Sequence, residues 1–248
     1  MKTAIVILTW KRLNLLNTTL IQLVKQTNPN FDVVVSNGDI SPGGIRAVDQ
    51  VVNYYNRKGL RVTVRHDGND VYAFRRFYVG KDLYDAGHEV VMFIDDDIKF
   101  PNRYVETCLN QYEPKTYKSG FTWIFYNRGR NYYKFRKRVF SNDHKIHYAG
   151  TGVSMMDASI FADKSLVDDA PKGSVHIEDV WLSYFVYHKP EWRIMYMETP
   201  GVVIGGADSV ALFKVVQKKS IDKAAYLKIL IDMGWSLPAE IPWSIKDE

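Results

Sequence analysis

The sequence predicts an α/β fold with a mostly parallel central sheet flanked by helices. Three observations carry that expectation. Apolar, β-branched runs alternate with segments of helical periodicity through the first hundred residues. Glycine, proline and asparagine clusters punctuate them. One apolar run ends in three consecutive acids, and the carboxyl ends of strands are where open parallel sheets bind ligands.

The elements follow in order. Thr3 to Leu8 reads as a buried strand, then a polar loop Thr9 to Arg12. Leu13 to Val24 has helical spacing, with Leu16, Leu20, Leu23 and Val24 on one face. Phe31 to Val35 is a second strand, and Ser36 to Gly44 is rich in turn residues. Helix at Ile45 to Arg57, strand at Leu60 to Val64, helix at Val71 to Tyr84 and strand at Val90 to Ile94 complete the alternation. Beyond residue 100 the pattern turns mixed. A helix is expected at Arg103 to Leu109, and strands at Phe121 to Tyr126, Val139 to Tyr148, Val153 to Met156 and Trp192 to Met197. Ile177 to Tyr187 reads as a helix with Val180, Trp181, Tyr184 and Phe185 inward. A last helix, Ile221 to Met233, offers Ala225, Ile229 and Leu230 for packing. No repeat or linker interrupts the chain, so one domain over 1–248 is the simplest organisation.

Composition excludes several classes. The chain has 248 residues, 46% hydrophobic and 25% charged, enough to bury a sizeable core. Cys108 is the sole cysteine, so neither a disulfide framework nor a cysteine-rich metal site is available, and it reads as a core residue. The apolar run Ala4 to Leu8 is too short for a signal peptide, and no stretch is long enough for a transmembrane helix. A cytoplasmic location is therefore expected. No Gly-x-Gly-x-x-Gly follows the first strand, which disfavours a dinucleotide-dependent dehydrogenase, and no Gly-Lys-Ser/Thr ending supports a P-loop enzyme.

The chemistry concentrates at Val90-Val91-Met92-Phe93-Ile94-Asp95-Asp96-Asp97. Three adjacent acids repel one another, so a cation or a dense hydrogen-bond network must offset them. Hard divalent ions take carboxylate oxygens and commonly share them with substrate phosphates. Alternation along a strand lets Asp95 and Asp97 act around one ligand. A solvated acidic turn is the alternative.

In this context the chain resembles GT-A fold glycosyltransferases, closest to glycosyltransferase family 2. The opening Ala-Ile-Val-Ile-Leu-Thr-Trp-Lys-Arg, Leu15-Leu16, Gln26-Thr27 and Phe31 to Asp39 are similar to that family's first strand, helix and second strand. Asp95-Asp96-Asp97 resembles its Asp-x-Asp motif, and Ile177-Glu178-Asp179-Val180-Trp181 its later Glu-Asp motif. The resemblance implies a Rossmann-like GT-A domain, with residues 1–100 binding a nucleotide-sugar, UDP-sugar first among them. Residues 101–248 would form a smaller mixed acceptor half ending in a C-terminal helix. It implies donor contacts from Thr9, Trp10, Asp39, Arg75, Arg76, Asp95 and Asp96. Asp95 and Asp97 would hold Mn²⁺ or Mg²⁺. Asp179 would be the general base of an inverting transfer; acids in a helix's first turn also favour its positive end without any catalytic role. Many such enzymes add a late histidine as metal ligand; none follows His188 here, and Asp208 is the candidate oxygen substitute, with an ordinary loop acid as the alternative. Tyr148-Ala149-Gly150-Thr151-Gly152 has the glycines to bring backbone close to donor or acceptor.

Charge is local. Between Lys115 and Asn142 lie eight basic residues (Lys115, Lys118, Arg128, Arg130, Lys134, Arg136, Lys137, Arg138) and no acid; with a net charge of +5, the rest of the chain carries −3. Nine aromatics share the stretch: Tyr117, Phe121, Trp123, Phe125, Tyr126, Tyr132, Tyr133, Phe135 and Phe140. That mix suits a saccharide or an anionic polymer acceptor, including DNA with hydroxymethylated bases, or peripheral contact with an anionic membrane. A solvated ribbon with inward-packed rings is the plain alternative. A nucleotidyltransferase and a non-catalytic nucleic-acid-binding protein are the competing classes.

Overall fold

The computed structural model describes residues 1–68, 70–125, 136–205 and 223–238. Its centre is a seven-stranded sheet. The strands that set it are β1 (Thr3–Thr9), β2 (Asp32–Asn37), β3 (Val62–His66) and β4 (Val90–Asp95). The helices between them are α1 (Leu13–Val24), α2 (Pro42–Arg57) and α3 (Arg75–Asp85). Next come β5 (Ile98–Lys99), α4 (Tyr104–Leu109), β6 (Thr116–Ser119), β7 (Thr122–Phe125), β8 (Arg136–Val139), β9 (Tyr148–Ala149) and β10 (Val153–Asp157). The chain continues through α5 (Ser165–Asp168), α6 (Glu178–Tyr187), β11 (Arg193–Tyr196), β12 (Val203–Ile204) and α7 (Lys223–Asp232). Sheet order is β11-β6-β10-β4-β1-β2-β3, with β10 antiparallel to both its neighbours and every other pair parallel.

Both faces of the sheet are covered, which is why its strands read as unbroken apolar runs. All seven residues of β1 are buried. Ile5, Ile7, Met92 and Ile94 join the core under α1, α2 and α4. Val6, Leu8, Val91 and Phe93 point the other way, into a core with Phe77, Trp181, Leu227 and Leu230. Cys108 is buried as expected, and burial pushes its thiol up to about 12. Among the described residues no helix is long and apolar enough to cross a membrane.

Several expected boundaries move, each for a local reason. Ser41-Pro42-Gly43-Gly44 opens α2: Ser41 accepts the Gly44 N–H at 3.1 Å and Pro42 takes the first turn, where its missing N–H costs nothing. The helix expected from Val71 begins at Arg75, after a 3₁₀ turn at Tyr72–Phe74. The long strand expected at Val139 to Tyr148 is two short ones, β8 and β9, joined by a loop. β6 was not anticipated, because Thr-Tyr-Lys-Ser reads as polar. It is nevertheless buried throughout, with the Tyr117 hydroxyl donating to the Ala149 carbonyl at 2.7 Å and Lys118 paired to Glu113 at 2.5 Å. On α1 Val24 is exposed, and on α7 Ala225 and Ile229 face outward while Tyr226, Leu227 and Leu230 pack.

β7, β8 and β9 form a separate antiparallel sheet. Entering it, His147 donates its backbone N–H to the Trp123 carbonyl at 3.1 Å, and its ring is buried 5.9 Å from that of Tyr187. Burial, then the nearby Lys145 charge, pulls this imidazole down from 6.5 to about 4. The fold therefore favours neutral His147, and the stability it contributes is present above about pH 6.5 and lost as the pH falls through 4. The expected loss is about 3 kcal/mol. Urea titrations at pH 7 and pH 4 check it: His147→Leu should lose less stability between the two than the unsubstituted chain.

Candidate active site at the carboxyl edge of the sheet

Parallel pairing aligns the ends of the central strands. Leu8 of β1 lies opposite Asp95 of β4, and Thr9 opposite Asn37 of β2. The loops that follow β1, β2 and β4 therefore meet at one edge.

Asp95 ends β4, its N–H bonded to the Gly152 carbonyl at 2.9 Å. Its side chain is 41% exposed and ion-paired to Arg76. A side chain at residue 152 would collide with the Asp95 carboxylate and push it off Arg76, so glycine lets the two approach. Asp96 turns the other way: it is buried, and Arg12 grips both its oxygens. The nucleotide contact expected of Asp96 thus finds no exposed carboxylate. Asp97 is 16% exposed, 3.5 Å from the Arg12 guanidinium. The repulsion among three adjacent acids is answered by two arginines, one on each side.

Helix α1 fixes the turn that carries these acids. The Thr19 hydroxyl donates to the Asp96 carbonyl at 2.9 Å. Gln22 donates to the Ile98 carbonyl and accepts the Phe100 N–H. Gln26 accepts the Val105 N–H at 2.9 Å. From the C-terminal side, the Gly205 N–H donates to the Asp97 carbonyl at 2.7 Å, next to the β5–β12 pair. Asp208 lies outside the described residues.

Arg76 joins the two halves of the chain. Fully buried on α3, it pairs with Asp95, with Glu178 at 2.5 Å and with the Thr151 hydroxyl, and sits 5.8 Å from the Phe93 ring centre. Burial pushes the Glu178 carboxyl up; Arg76 opposes that, Asp179 adds to it and the Thr151 hydroxyl draws it back. Asp179, next in sequence on the first turn of α6, is half-buried. One of its oxygens takes the Val180 N–H at 2.9 Å and the other takes the Tyr148 hydroxyl. Tyr148 is itself stacked on Trp123 and Phe125.

Arg75 points elsewhere. It is buried beneath the loops, donating to the Gly68 and Thr9 carbonyls at 3.0 Å and to Ser36 at 3.4 Å. Burial draws its guanidinium down to about 10. Gly38 leaves room for it. Thr9 is buried and Trp10 half-buried, with Lys11 at φ 58° following them. Tyr72, at φ 45°, rests its ring 4.4 Å from that of His176. Positive φ at two non-glycine residues is strain of the kind that surrounding contacts must hold in place. Asp39 is half-buried and accepts the Ser41 N–H at 3.1 Å, ahead of α2.

The structure therefore gathers Asp95, Asp97, Arg76 and Asp179 at one edge, keeps Arg75 and Asp96 beneath it, and places Asp39 on its rim. The sequence offered no role for Arg12, and offered Tyr148 to Gly152 only as backbone approaching donor or acceptor, not the Tyr148 hydroxyl on Asp179. The one signal for Arg12 was its place in the basic Lys11-Arg12 pair of the loop after the first strand. Among the described residues no cluster of three or more His, Cys, Asp or Glu side chains is placed to hold a metal ion. Asp95 and Asp97 supply two carboxylates; Mg²⁺-type sites commonly use one or two, with substrate phosphates and water, so the donor set fits.

No family model and no curated protein sequence matches the chain. Solved structures do. A mannosyltransferase from Pyrobaculum calidifontis, PcManGT, in complex with GDP-Man and Mn²⁺, superposes with TM-score 0.57 at 14% identity, over 96% of this chain and 66% of that one. GalNAc-T7 with UDP, GalNAc and Mn²⁺ gives 0.60 at 11% identity, over 97% and 53%. S. aureus TarS 1-349 with UDP-GlcNAc gives 0.57 at 15% identity, over 86% and 61%. The chain spans about two thirds or less of the length of these structures. Its fold is that of the GT-A glycosyltransferases.

Removing Arg76 leaves two acids without their buried partner. Arg76→Met should destabilise the protein by about 3–5 kcal/mol. Adding Glu178→Gln should recover part of that loss, and urea denaturation of the single and double variants measures both effects.

Proposed function

We propose that this chain is a metal-dependent glycosyltransferase that moves a sugar from a nucleotide-sugar to an acceptor hydroxyl with inversion. The observation that carries the reading is Arg76, paired at once with Asp95 beyond β4 and Glu178 at the start of α6. It ties Asp95, one of the two phosphate-side acids, to Glu178, the neighbour in sequence of the candidate base, in a fold shared with proteins solved with GDP-Man and UDP-GlcNAc.

In this reading Asp95 and Asp97 hold the ion, and Asp208 is a further ligand. Mn²⁺ or Mg²⁺ bound there would neutralise the charge of the departing nucleoside diphosphate. Thr9, Trp10 and Asp39 flank the nucleotide from the ends of β1 and β2. Arg75 and Asp96 act from beneath: Arg75 holds the loop carbonyls, and Asp96, through Arg12, fixes the turn that presents Asp97. Arg76 keeps Asp95 oriented with one guanidinium nitrogen and Glu178 with another. Asp179 takes the proton from the acceptor hydroxyl as the new glycosidic bond forms. The hydroxyl of Tyr148 and the N–H of Val180 hold that carboxylate in place.

Two outcomes test the reading. Asp97→Asn should abolish Mn²⁺-dependent binding of a UDP-sugar or GDP-sugar in calorimetry; undiminished binding would remove the ion from this position. Asp179→Asn should bind donor as the unsubstituted chain does while nucleotide-sugar turnover falls by about a hundredfold or more, the scale of a lost general base. Turnover at the original rate would end the base assignment.

A further inference from the structure

The basic, aromatic stretch of the sequence is not one patch. Arg128, Arg130 and Lys134, with Tyr126, Tyr132, Tyr133 and Phe135, lie outside the described residues. Lys118 is buried in its pair with Glu113, and Phe125 is buried against Tyr148 and Trp235. The edge of the central sheet is built differently. Strand β11 is its outermost strand, beside β6. The N–H groups of Arg193 and Met197 turn inward, to the Lys115 and Ser119 carbonyls. Alternate residues of a paired strand turn their peptide groups to opposite sides, so those of Ile194 and Tyr196 point outward.

Asn142 shows what that edge accepts. Its side-chain amide donates to the Tyr196 carbonyl at 3.1 Å and accepts the Tyr196 N–H at 2.7 Å, as a residue of an added strand would. Two residues earlier, the outward peptide groups of Ile194 have no such partner among the described residues. They lie at a cavity of about 490 Å³ bounded by β11, the C-terminal end of α6 and the 142–146 loop. Lys145 is exposed there, its ammonium 4.0 Å from the Tyr187 ring centre and without a carboxylate partner among the described residues. Arg193, 60% exposed, gives one nitrogen to Glu113 at 2.8 Å, and Lys189 pairs with Asp163 at 2.6 Å. Lysine and arginine thus line the cavity three times against one carboxylate, Asp143.

We propose that this edge is a docking site for an extended, acidic peptide segment of a partner protein. One residue of the segment pairs its N–H and C=O with those of Ile194, and flanking carboxylates meet Lys145 and Arg193. The backbone chemistry favours a peptide over an acetamido sugar. A trans amide holds its N–H and C=O on opposite sides and meets only one of the two Ile194 groups, whereas an extended peptide residue meets both. Asn142 sets where the added segment stops, since Tyr196 is already paired. Helix α6 carries Asp179 in its first turn and ends at Tyr187, so the segment sits about 12 Å along that helix from the candidate base. It docks beside the donor site and does not depend on it.

Fluorescence anisotropy on the full chain tests it with a labelled, end-blocked hexapeptide of alternating threonine and glutamate. This peptide should bind, and its counterpart with lysine for glutamate should bind at least about tenfold more weakly. The acidic peptide with every backbone amide N-methylated keeps its charge but loses its donors, and should also weaken by at least about tenfold. The Lys145→Gln/Arg193→Gln double variant should bind the acidic peptide at least about tenfold more weakly. Both side chains are exposed, so its circular dichroism and melting temperature should match those of the unsubstituted chain. No binding of the acidic peptide would overturn the site, as would equal binding of the lysine or N-methylated peptide, or equal affinity in the double variant. Tighter binding of a heparin-derived hexasaccharide, which carries charge without a peptide backbone, would overturn it too. Nucleotide-sugar binding is measured separately, and its absence removes the glycosyltransferase reading while leaving this one standing.

Discussion

A buried guanidinium holds this site together. Arg76 neutralises an acid from the end of β4 and another from the start of α6; its pair with Glu178 is buried, while Asp95 keeps one side toward water. A buried ion pair is weak evidence of stability, because desolvation opposes the Coulomb gain. It is stronger evidence of geometry: two carboxylates that must share one planar fork are restricted in where they can sit. Asp95 is fixed beside the sheet edge, Glu178 is fixed behind it, and Asp179 follows because it is the next residue on the same helical turn.

A second arginine complements the first. Arg12 answers the charge of Asp96 and approaches Asp97, while hydrogen bonds from Thr19 and Gln22 of α1 hold the backbone of the same turn. Three successive acids thus have three environments. Asp95 is half-exposed on Arg76, Asp96 is buried under Arg12, and Asp97 lies between the ion pair and the surface. This asymmetry lets two of the three face a ligand while the middle one serves the fold.

Much of the sheet was legible because its strands are covered on both faces and so carry plain apolar runs; Thr3–Thr9 and Val90–Asp95 are clear cases. Thr116–Ser119 was not, because a central position is there occupied by polar residues whose partners come from other segments: Ala149 for Tyr117 and Glu113 for Lys118. Helix starts failed where turn chemistry and capping chemistry coincide, as at Ser41-Pro42. The acids of the site were legible by position at a strand end. Their partners were not, since Arg12 and Asp96 lie 84 positions apart and Arg76 and Glu178 lie 102 apart. Charge pattern alone also overstated the basic stretch: among the described residues, Lys115 bonds the Ser159 hydroxyl while Lys118 is buried against Glu113.

The account stands most directly on where a divalent ion settles. Crystals soaked in Mn²⁺ and a nucleoside diphosphate, measured at the manganese absorption edge, should show an anomalous peak between the Asp95 and Asp97 carboxylates, with the diphosphate against it. A peak elsewhere on the molecule, with Arg12 and Arg76 as the sole companions of these acids, would contradict it.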